Sequence, residues 1–161
     1  VFFRQERVGR RGKSFKIYKF RTMCLNAEAK GRQITVGNDP RITQSGFFLR
    51  KYKLDELPQL LNVLVGEMSL VGPRPEVPRY VAMYPEDIRQ IVLSVPPGIT
   101  DFASIEYKDE NDILGAAVNP DKAYIEEILP AKLEYCLRYV QTRSLKLDFM
   151  LIVKTIRKII L

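Results

Sequence analysis

Asp55 and Glu56 stand side by side in "KLDELPQLLNVL", within a chain whose formal net charge is +7. Neighbouring carboxylates repel each other, so a pair suggests chemistry that needs both. An ionised Asp can attack phosphorus. Mg²⁺ prefers one or two carboxylates together with substrate phosphates. Arg50, Lys51 and Lys53 flank the pair, and nearby cations favour the ionised carboxylate. Pro58 sets the local frame, because proline is tolerated only in the first turn of a helix. The spacing predicts a helix from Glu56 to Leu64 that stops at Gly66, with Asp55 as its N-cap. Dipole compensation alone gives such acids about 0.3–1 kcal/mol each. One cap suffices for that, which leaves the second acid to be explained.

Two more features point the same way. Asp148 lies in the tail helix among Leu151, Ile152 and Thr155; an acid on an apolar face needs a partner or a metal. In "VGPRPE", Pro73 and Pro75 hold Arg74 in a stiff loop, where a preset guanidinium can fork onto a phosphate. The bland reading is a rigid turn with a solvated arginine.

Composition narrows the chemistry. The chain has 161 residues, 46% of them hydrophobic, enough for one domain with a core. Histidine is absent, which removes the commonest general base and zinc ligand. Cys24 and Cys136 are far apart and form no metal or redox motif. Catalysis is left to carboxylates, cations and hydroxyls. A basic chain seeks anions, and no apolar run is long enough to span a bilayer.

These residues must be positioned by an α+β arrangement that is mostly helical, with no Rossmann or Walker motif. Residues 1–21 hold eight basic residues against Glu6 and read as a hairpin, Phe2–Val8 and Ser14–Arg21. Helices are expected over 46–52, 56–64, 79–93 and 121–141, the last kinked or split by Pro130. Leu57, Leu60, Leu61 and Leu64 form an apolar stripe. Phe102–Tyr107 reads as a strand. In the tail, residues 144–161, Lys146, Lys154, Arg157 and Lys158 share one arc, and Phe149, Ile152, Ile156 and Ile160 the other. Such a helix suits a membrane interface or a core-packed terminus equally.

Taken together, "VFFRQERVGRRGKSFKIYKFRTM", "DPRITQSGFFLRKYKLDELPQLLNVLVGEMSLVGPRPE", "PGIT" and "LKLDFMLIVKTI" resemble the bacterial sugar transferases, specifically the monotopic phosphoglycosyl transferases. The resemblance runs over essentially the whole chain, 1–161, as a single catalytic domain with amphipathic surface helices. It implies transfer of sugar-1-phosphate from a UDP-sugar to undecaprenyl or another polyprenyl phosphate, with UMP released. It implies a Mg²⁺ cofactor, Asp55 as nucleophile within an Asp55–Glu56 dyad, and a covalent phosphosugar intermediate. Asp148 matches the third active-site carboxylate, which makes Asp55, Glu56 and Asp148 the implied metal set. Lys19 and Arg21 match the family's "KFR", Asp39 and Arg41 its "DPR", and Arg74, between Pro73 and Pro75, its nucleotide-side arginine. Arg50 joins this substrate-binding set. The implied setting is the cytoplasmic face of a bacterial inner membrane, against anionic lipid, at the start of capsule, O-antigen, exopolysaccharide or glycoprotein glycan assembly.

The sequence departs from the family in two places. The family's N-terminal re-entrant helix, which precedes "VFFRQERVG", is not in this sequence. Where many members read "GWAQVNGRN" after "PGIT", this chain reads "DFASIEYKDEN", so Lys108 replaces an arginine. Lysine offers a point charge instead of a fork. Other readings of the residues are a module that stacks single-stranded nucleic acid on Phe15, Tyr18 and Phe20, and a membrane-surface scaffold built on the tail. No RNP, KH or helix-turn-helix pattern supports the first.

Overall fold

A computed structural model describes residues 1–27, 35–36, 39–107 and 110–160. The α+β, mostly helical fold expected from the sequence is observed. Alternating side chains at the start of the chain give an antiparallel hairpin of β1 (Phe2–Val8) and β2 (Ser14–Phe20), with Phe3 opposite Lys19 and Arg7 opposite Phe15. Residues two apart on a strand share a face. Phe15 and Ile17 enter the core beside Met68, so the same alternation carries Lys19 inward. Arg7, across from Phe15, lies on that face as well.

The helix α1 (Gln44–Lys51) begins at Thr43, whose hydroxyl accepts the Gly46 N–H. A side chain at Gly46 would meet the Thr22 carbonyl oxygen at 2.1 Å, so only glycine lets α1 seat on the exit of the hairpin. Lys53 then adopts a left-handed conformation, φ 53°, which is uncommon outside glycine and asparagine. It turns the chain into a 3₁₀ turn, Leu54–Glu56, ahead of α2 (Gln59–Leu64). The expectation that Asp55 caps this helix is therefore corrected. Pro58 holds the cap position, and the turn begun by Lys53 buries both carboxylates instead. Gly66 ends the segment at positive φ, as expected.

The orientation of α2 is inverted. Gln59 and Asn62 are 1% and 0% exposed, while Leu60 and Leu64 are 43% and 82% exposed. Asn62 stitches the helix to β2: its amide donates to the Lys16 carbonyl at 3.0 Å and accepts the Tyr18 N–H at 3.1 Å. Leu57, Leu61 and Val65 are exposed as well, as are Phe47 and Phe48 of α1 and Tyr52 that follows it, with Phe47, Leu57 and Leu60 at the cleft wall.

A short parallel pair, β3 (Ser69–Val71) and β4 (Gly98–Thr100), joins the Pro-Arg-Pro loop to "PGIT". A side chain on Gly98 would meet the backbone of Gly72 at 2.0 Å, so the two loops touch backbone to backbone. The single helix expected over 79–93 is two, α3 (Pro78–Val81) and α4 (Glu86–Val92), because Pro85 intervenes. The strand expected at Phe102–Tyr107 is a helix, α5 (Phe102–Glu106). Its buried N-cap, Asp101, accepts the Ser104 N–H at 2.7 Å, and a local cap of this kind overrides a short apolar run whose period is ambiguous.

The helices α6 (Glu110–Ala116) and α7 (Pro120–Ala123) lead through a π-turn, Tyr124–Ile128, into α8 (Leu129–Thr142). Pro130 lacks an N–H and crowds the preceding turn. The ladder absorbs this by widening: Leu129 N–H bonds to the carbonyl of Tyr124, five residues back. The final helix, α9 (Leu145–Ile160), buries Leu151 against Val71 and Tyr139 and leaves Phe149 and Ile156 exposed. Its apolar arc is thus shared between core and surface. Among the described residues, no helix is long and apolar enough to cross a membrane. The main core packs Tyr80, Leu114, Tyr124, Leu129 and Leu133 together.

Candidate active site

The inward face of the hairpin, the Leu54–Glu56 turn and the Pro-Arg-Pro loop converge on one cleft of about 1090 Å³. Glu56 is fully engaged there. Its Oε1 accepts from Lys19 Nζ at 2.9 Å and from Arg74 Nη2, and its Oε2 accepts from Arg74 Nη1 at 3.2 Å. Arg74 thus forks onto a carboxylate, not into water, and its own backbone N–H faces Asp101 at 3.4 Å. Burial alone would raise the Glu56 pKa. Arg74 and Lys19 outweigh it and hold the carboxyl well below its ordinary range. The same contact with Glu56 raises Arg74. Lys19 is lowered, by burial first and against the pull of Glu56.

Asp55 differs from its neighbour. It is buried in the wall of the cleft and accepts no hydrogen bond among the described residues. Burial pushes its carboxyl above the ordinary range; Lys19 opposes this, the Glu56 charge adds to it, and Arg50 and Lys53 oppose it. The sequence reading counted only the dipole and the cations, which favour the ionised form of Asp55; burial acts in the opposite direction. Desolvation wins, because the cations that face the pair are spent on Glu56. One carboxylate is a fixed anion and the other is an open one, and a pair with environments this different commonly divides its roles.

The remaining expected site residues separate into groups. Arg50 lines the cleft on the Asp55 side, donating to the hydroxyls of Thr22 at 2.8 Å and Thr35 at 3.1 Å. Arg21 lines the same mouth and donates to the Phe2 carbonyl at 3.3 Å. Asp39 and Arg41 form a bidentate pair with each other, at 2.9 and 2.6 Å. Arg41 also holds the Ala27 carbonyl; its hydrogen bonds hold the Asp39 carboxyl below its ordinary range. This pair braces the loop, with Arg41 at the cleft wall. Pro73 and Pro75 hold Arg74 without facing the cleft themselves. Lys108 lies outside the described residues.

Asp148 is not brought to the pair. It sits in the first turn of α9, where its Oδ1 accepts the Tyr139 hydroxyl at 2.9 Å, beside a separate cavity of about 240 Å³ lined by Ser69, Val95 and Arg143. Tyr139 supplies the partner that an acid on this face requires. Among the described residues no three carboxylates gather as a metal cage. Asp55, with Glu56 beside it, fits instead the one-or-two-carboxylate pattern of a Mg²⁺ that is also held by substrate phosphates.

A second polar cluster lines the far wall of the same cleft, and the sequence reading did not single it out. Glu76 accepts the Tyr124 hydroxyl at 2.7 Å and pairs with Arg7 at 3.7 Å and Lys132 at 4.0 Å. Lys132 also pairs with Glu110 at 2.6 Å. Glu76 closes the quoted "GPRPE", and Arg7 shares its strand face with Phe3, so both were within reach of the motif and the alternation. Nothing local marks Lys132. Of the aromatic residues considered for base stacking, Phe15 is buried, Phe20 stacks on Phe2, and Arg4 covers Tyr18 at 4.7 Å.

Comparison with known proteins gives the chain its family. Residues 1–161 match the family described as bacterial sugar transferases. The chain is 40% identical, over 99% of its length, to an Aeromonas hydrophila UDP-N-acetylgalactosamine-undecaprenyl-phosphate N-acetylgalactosaminephosphotransferase. It is 38% identical over 98% of its length to the Escherichia coli (strain K12) UDP-glucose:undecaprenyl-phosphate glucose-1-phosphate transferase. These alignments cover 35% and 32% of the two relatives, so the chain spans about a third of their length. An uncharacterised Bacillus subtilis sugar transferase is 39% identical and is covered over 70% of its length.

Proposed function

Because this chain belongs to the bacterial sugar transferase family, we propose that its cleft transfers a sugar-1-phosphate from a UDP-sugar to a polyprenyl phosphate such as undecaprenyl phosphate. The observation that carries this reading is the division of labour in the buried pair: Glu56 is locked by Arg74 and Lys19, and Asp55 is left open to a cation-lined cleft. An Asp55 carboxylate oxygen attacks the phosphorus that bears the sugar. The bond from that phosphorus to the bridging oxygen breaks, and UMP leaves with its electron pair. The acyl phosphosugar on Asp55 is then attacked by a phosphate oxygen of the lipid, which frees the carboxylate and forms the lipid diphosphosugar. No net proton is taken up.

Glu56 serves as the anchor that keeps Arg74 and Lys19 facing the transferred phosphoryl group. It is not a free base, because both of its oxygens are occupied. Positioned cations stabilise phosphoryl transfer without reorganisation. Arg50 adds a further cation beside Asp55. Mg²⁺, held by Asp55 and the donor's phosphates, would neutralise charge on the leaving UMP.

The exposed apolar residues of α1 and α2 and the exposed residues of α9 form the surfaces that would rest in the lipid interface, on the cytoplasmic face of the inner membrane, so that the acceptor phosphate reaches the cleft. The reaction would begin the assembly of a lipid-linked surface glycan. The engaged aromatic rings of the hairpin argue against a base-stacking module. A pure scaffold would have no use for an open buried carboxylate.

The test is UMP release by the full-length protein in membranes, with Mg²⁺ and a panel of UDP-sugars, followed by peptide mass spectrometry of Asp55. A stoichiometric burst of UMP with a phosphosugar adduct on Asp55 is the expected result. UMP release that survives Asp55→Asn would overturn the covalent mechanism.

A further inference from the structure

The cleft has two ends of different electrical character. Around Asp55 and Glu56 the wall carries Lys19, Arg21, Arg50, Lys51, Lys53 and Arg74, an excess of positive charge. At the other end Arg7 and Lys132 face Glu76 and Glu110, two cations against two anions, with the tyrosine hydroxyls of Tyr124 and Tyr80 behind them. A diphosphate belongs at the first end. The second offers no net charge and many donors and acceptors, which suits a neutral polyhydroxyl group.

We propose that this charge-balanced end is the pocket for the donor's hexose ring, with Glu76, Lys132 and Glu110 setting which sugar is accepted. The inference rests on the reading of the cleft as a sugar-nucleotide site.

Four observations support it. Arg74 and Glu76 are two residues apart in one proline-stiffened loop, so the two ends are joined at roughly 7 Å, the reach of an extended dipeptide. A sugar linked to a phosphate at Arg74 therefore arrives at Glu76. The charged groups are largely covered: side-chain exposures are 13% for Lys132 and 23% for Glu110. A charged cluster that is this desolvated seldom adds stability over an apolar wall, and all four of its charged residues line the cleft. The uracil base fits this end poorly. Tyr80 and Tyr124 lie against each other with centroids 4.7 Å apart, Lys132 covers the Tyr124 ring at 5.0 Å and Arg79 the Tyr80 ring at 5.7 Å, so neither buried ring offers a free face for stacking. Among the described residues the buried hydroxyl of Tyr80 has no hydrogen-bond partner, and a buried polar group of this kind calls for one.

A site that bonds substrate hydroxyls discriminates strongly against analogues that misplace them. The experiment uses the full-length protein with UDP-glucose, UDP-galactose and their N-acetyl counterparts. It compares wild type with Lys132→Met and the milder Glu110→Gln, reading UMP-release kinetics and, separately, equilibrium binding of UMP. The expected result is a KM rise of about tenfold for the preferred donor with Lys132→Met. Discrimination between epimeric donors should collapse in the same variant, and UMP affinity should stay within about twofold. Glu110→Gln should shift the donor ratio in the same direction by less. UMP affinity falling in step with donor affinity would assign this end to the nucleoside and overturn the proposal. So would unchanged donor ratios in both variants with wild-type turnover intact, and the transferase reading would survive that outcome. Should wild type release no UMP yet bind a UDP-sugar in a Lys132-dependent way, the transferase reading fails and the pocket stands. Absence of both binding and turnover sinks the two together.

Discussion

The two ends of the cleft are built from the same two pieces of chain. One face of the hairpin sends Lys19 to one end and Arg7 to the other, about 14 Å apart along the strands. One loop sends Arg74 to the first and Glu76 to the second. What differs is the third contributor. At the first end the Leu54–Glu56 turn adds two carboxylates, of which the cations clamp one. At the second, α8 adds Lys132, which is itself shared with Glu110. A single frame can therefore hold one end reactive and the other merely selective, according to whether a charge is left over.

Breaking that contrast is most severe at the left-over charge. Asp55→Asn is expected to lower UMP release by roughly 10⁴-fold or more, as nucleophile losses do. The same change should raise the melting temperature at neutral pH. The Asp55 pKa is raised by burial, so the folded chain binds its proton more tightly than the unfolded chain. The resulting penalty grows as pH rises from the ordinary carboxylate pKa to the raised one, and persists above it. Melting curves of both proteins in metal-free buffer across that range check the sign: the gap between them should close as pH falls.

Glu56→Gln tests the clamp. It leaves Arg74 and Lys19 buried without their anion, and breaking a buried pair costs about 3–5 kcal/mol. Denaturant unfolding measures it. The pH dependence has the opposite sense to that of Asp55. The Glu56 pKa is lowered, so its contribution is complete above the unfolded value and is lost as pH falls through the folded one.

At the selective end the expected effects are smaller. Tyr124→Phe removes one hydrogen bond to a charged acceptor and should cost about 1.5–3 kcal/mol, with UMP binding unchanged. The smallest effect belongs outside the contrast altogether. Asp148→Asn exchanges the charged acceptor of the Tyr139 hydroxyl for a neutral amide oxygen, at about 1 kcal/mol, and donor-side UMP release should change by less than about threefold. A much larger loss of turnover would return Asp148 to the metal set.

Much of the frame was legible beforehand. Period-two alternation placed the hairpin and, read one step further, points Lys19 inward beside Phe15 and Ile17. The prolines around Arg74 announced a rigid loop, and Gly66 announced the end of α2. The misreadings share one cause: each treated a local signal as final when a tertiary partner decided. Pro58 suggested a cap at Asp55, but the left-handed Lys53 turned the pair inward first. Phe102–Tyr107 looked like a strand until the Asp101 cap is considered. The leucine stripe of α2 was visible, but which side faced the core depended on Asn62 finding the β2 backbone. The far cluster was the least legible, because Arg7, Glu76 and Lys132 come from three distant segments and meet only in space.

The backbone contact between Gly72 and Gly98 also fixes the order in which the molecule can assemble. The hairpin is complete once residue 20 is made, and such local pairings form quickly. Arg74 gains its seat only when β4 has been synthesised and docked on β3. The Thr100 hydroxyl in turn meets Thr155 of α9 at 2.6 Å, so the cleft is walled only when the last helix arrives. The cleft is thus closed only after α9 has joined the hairpin and the two loops, and chains truncated before α9 should be able to fold their hairpin while remaining unable to bind a UDP-sugar.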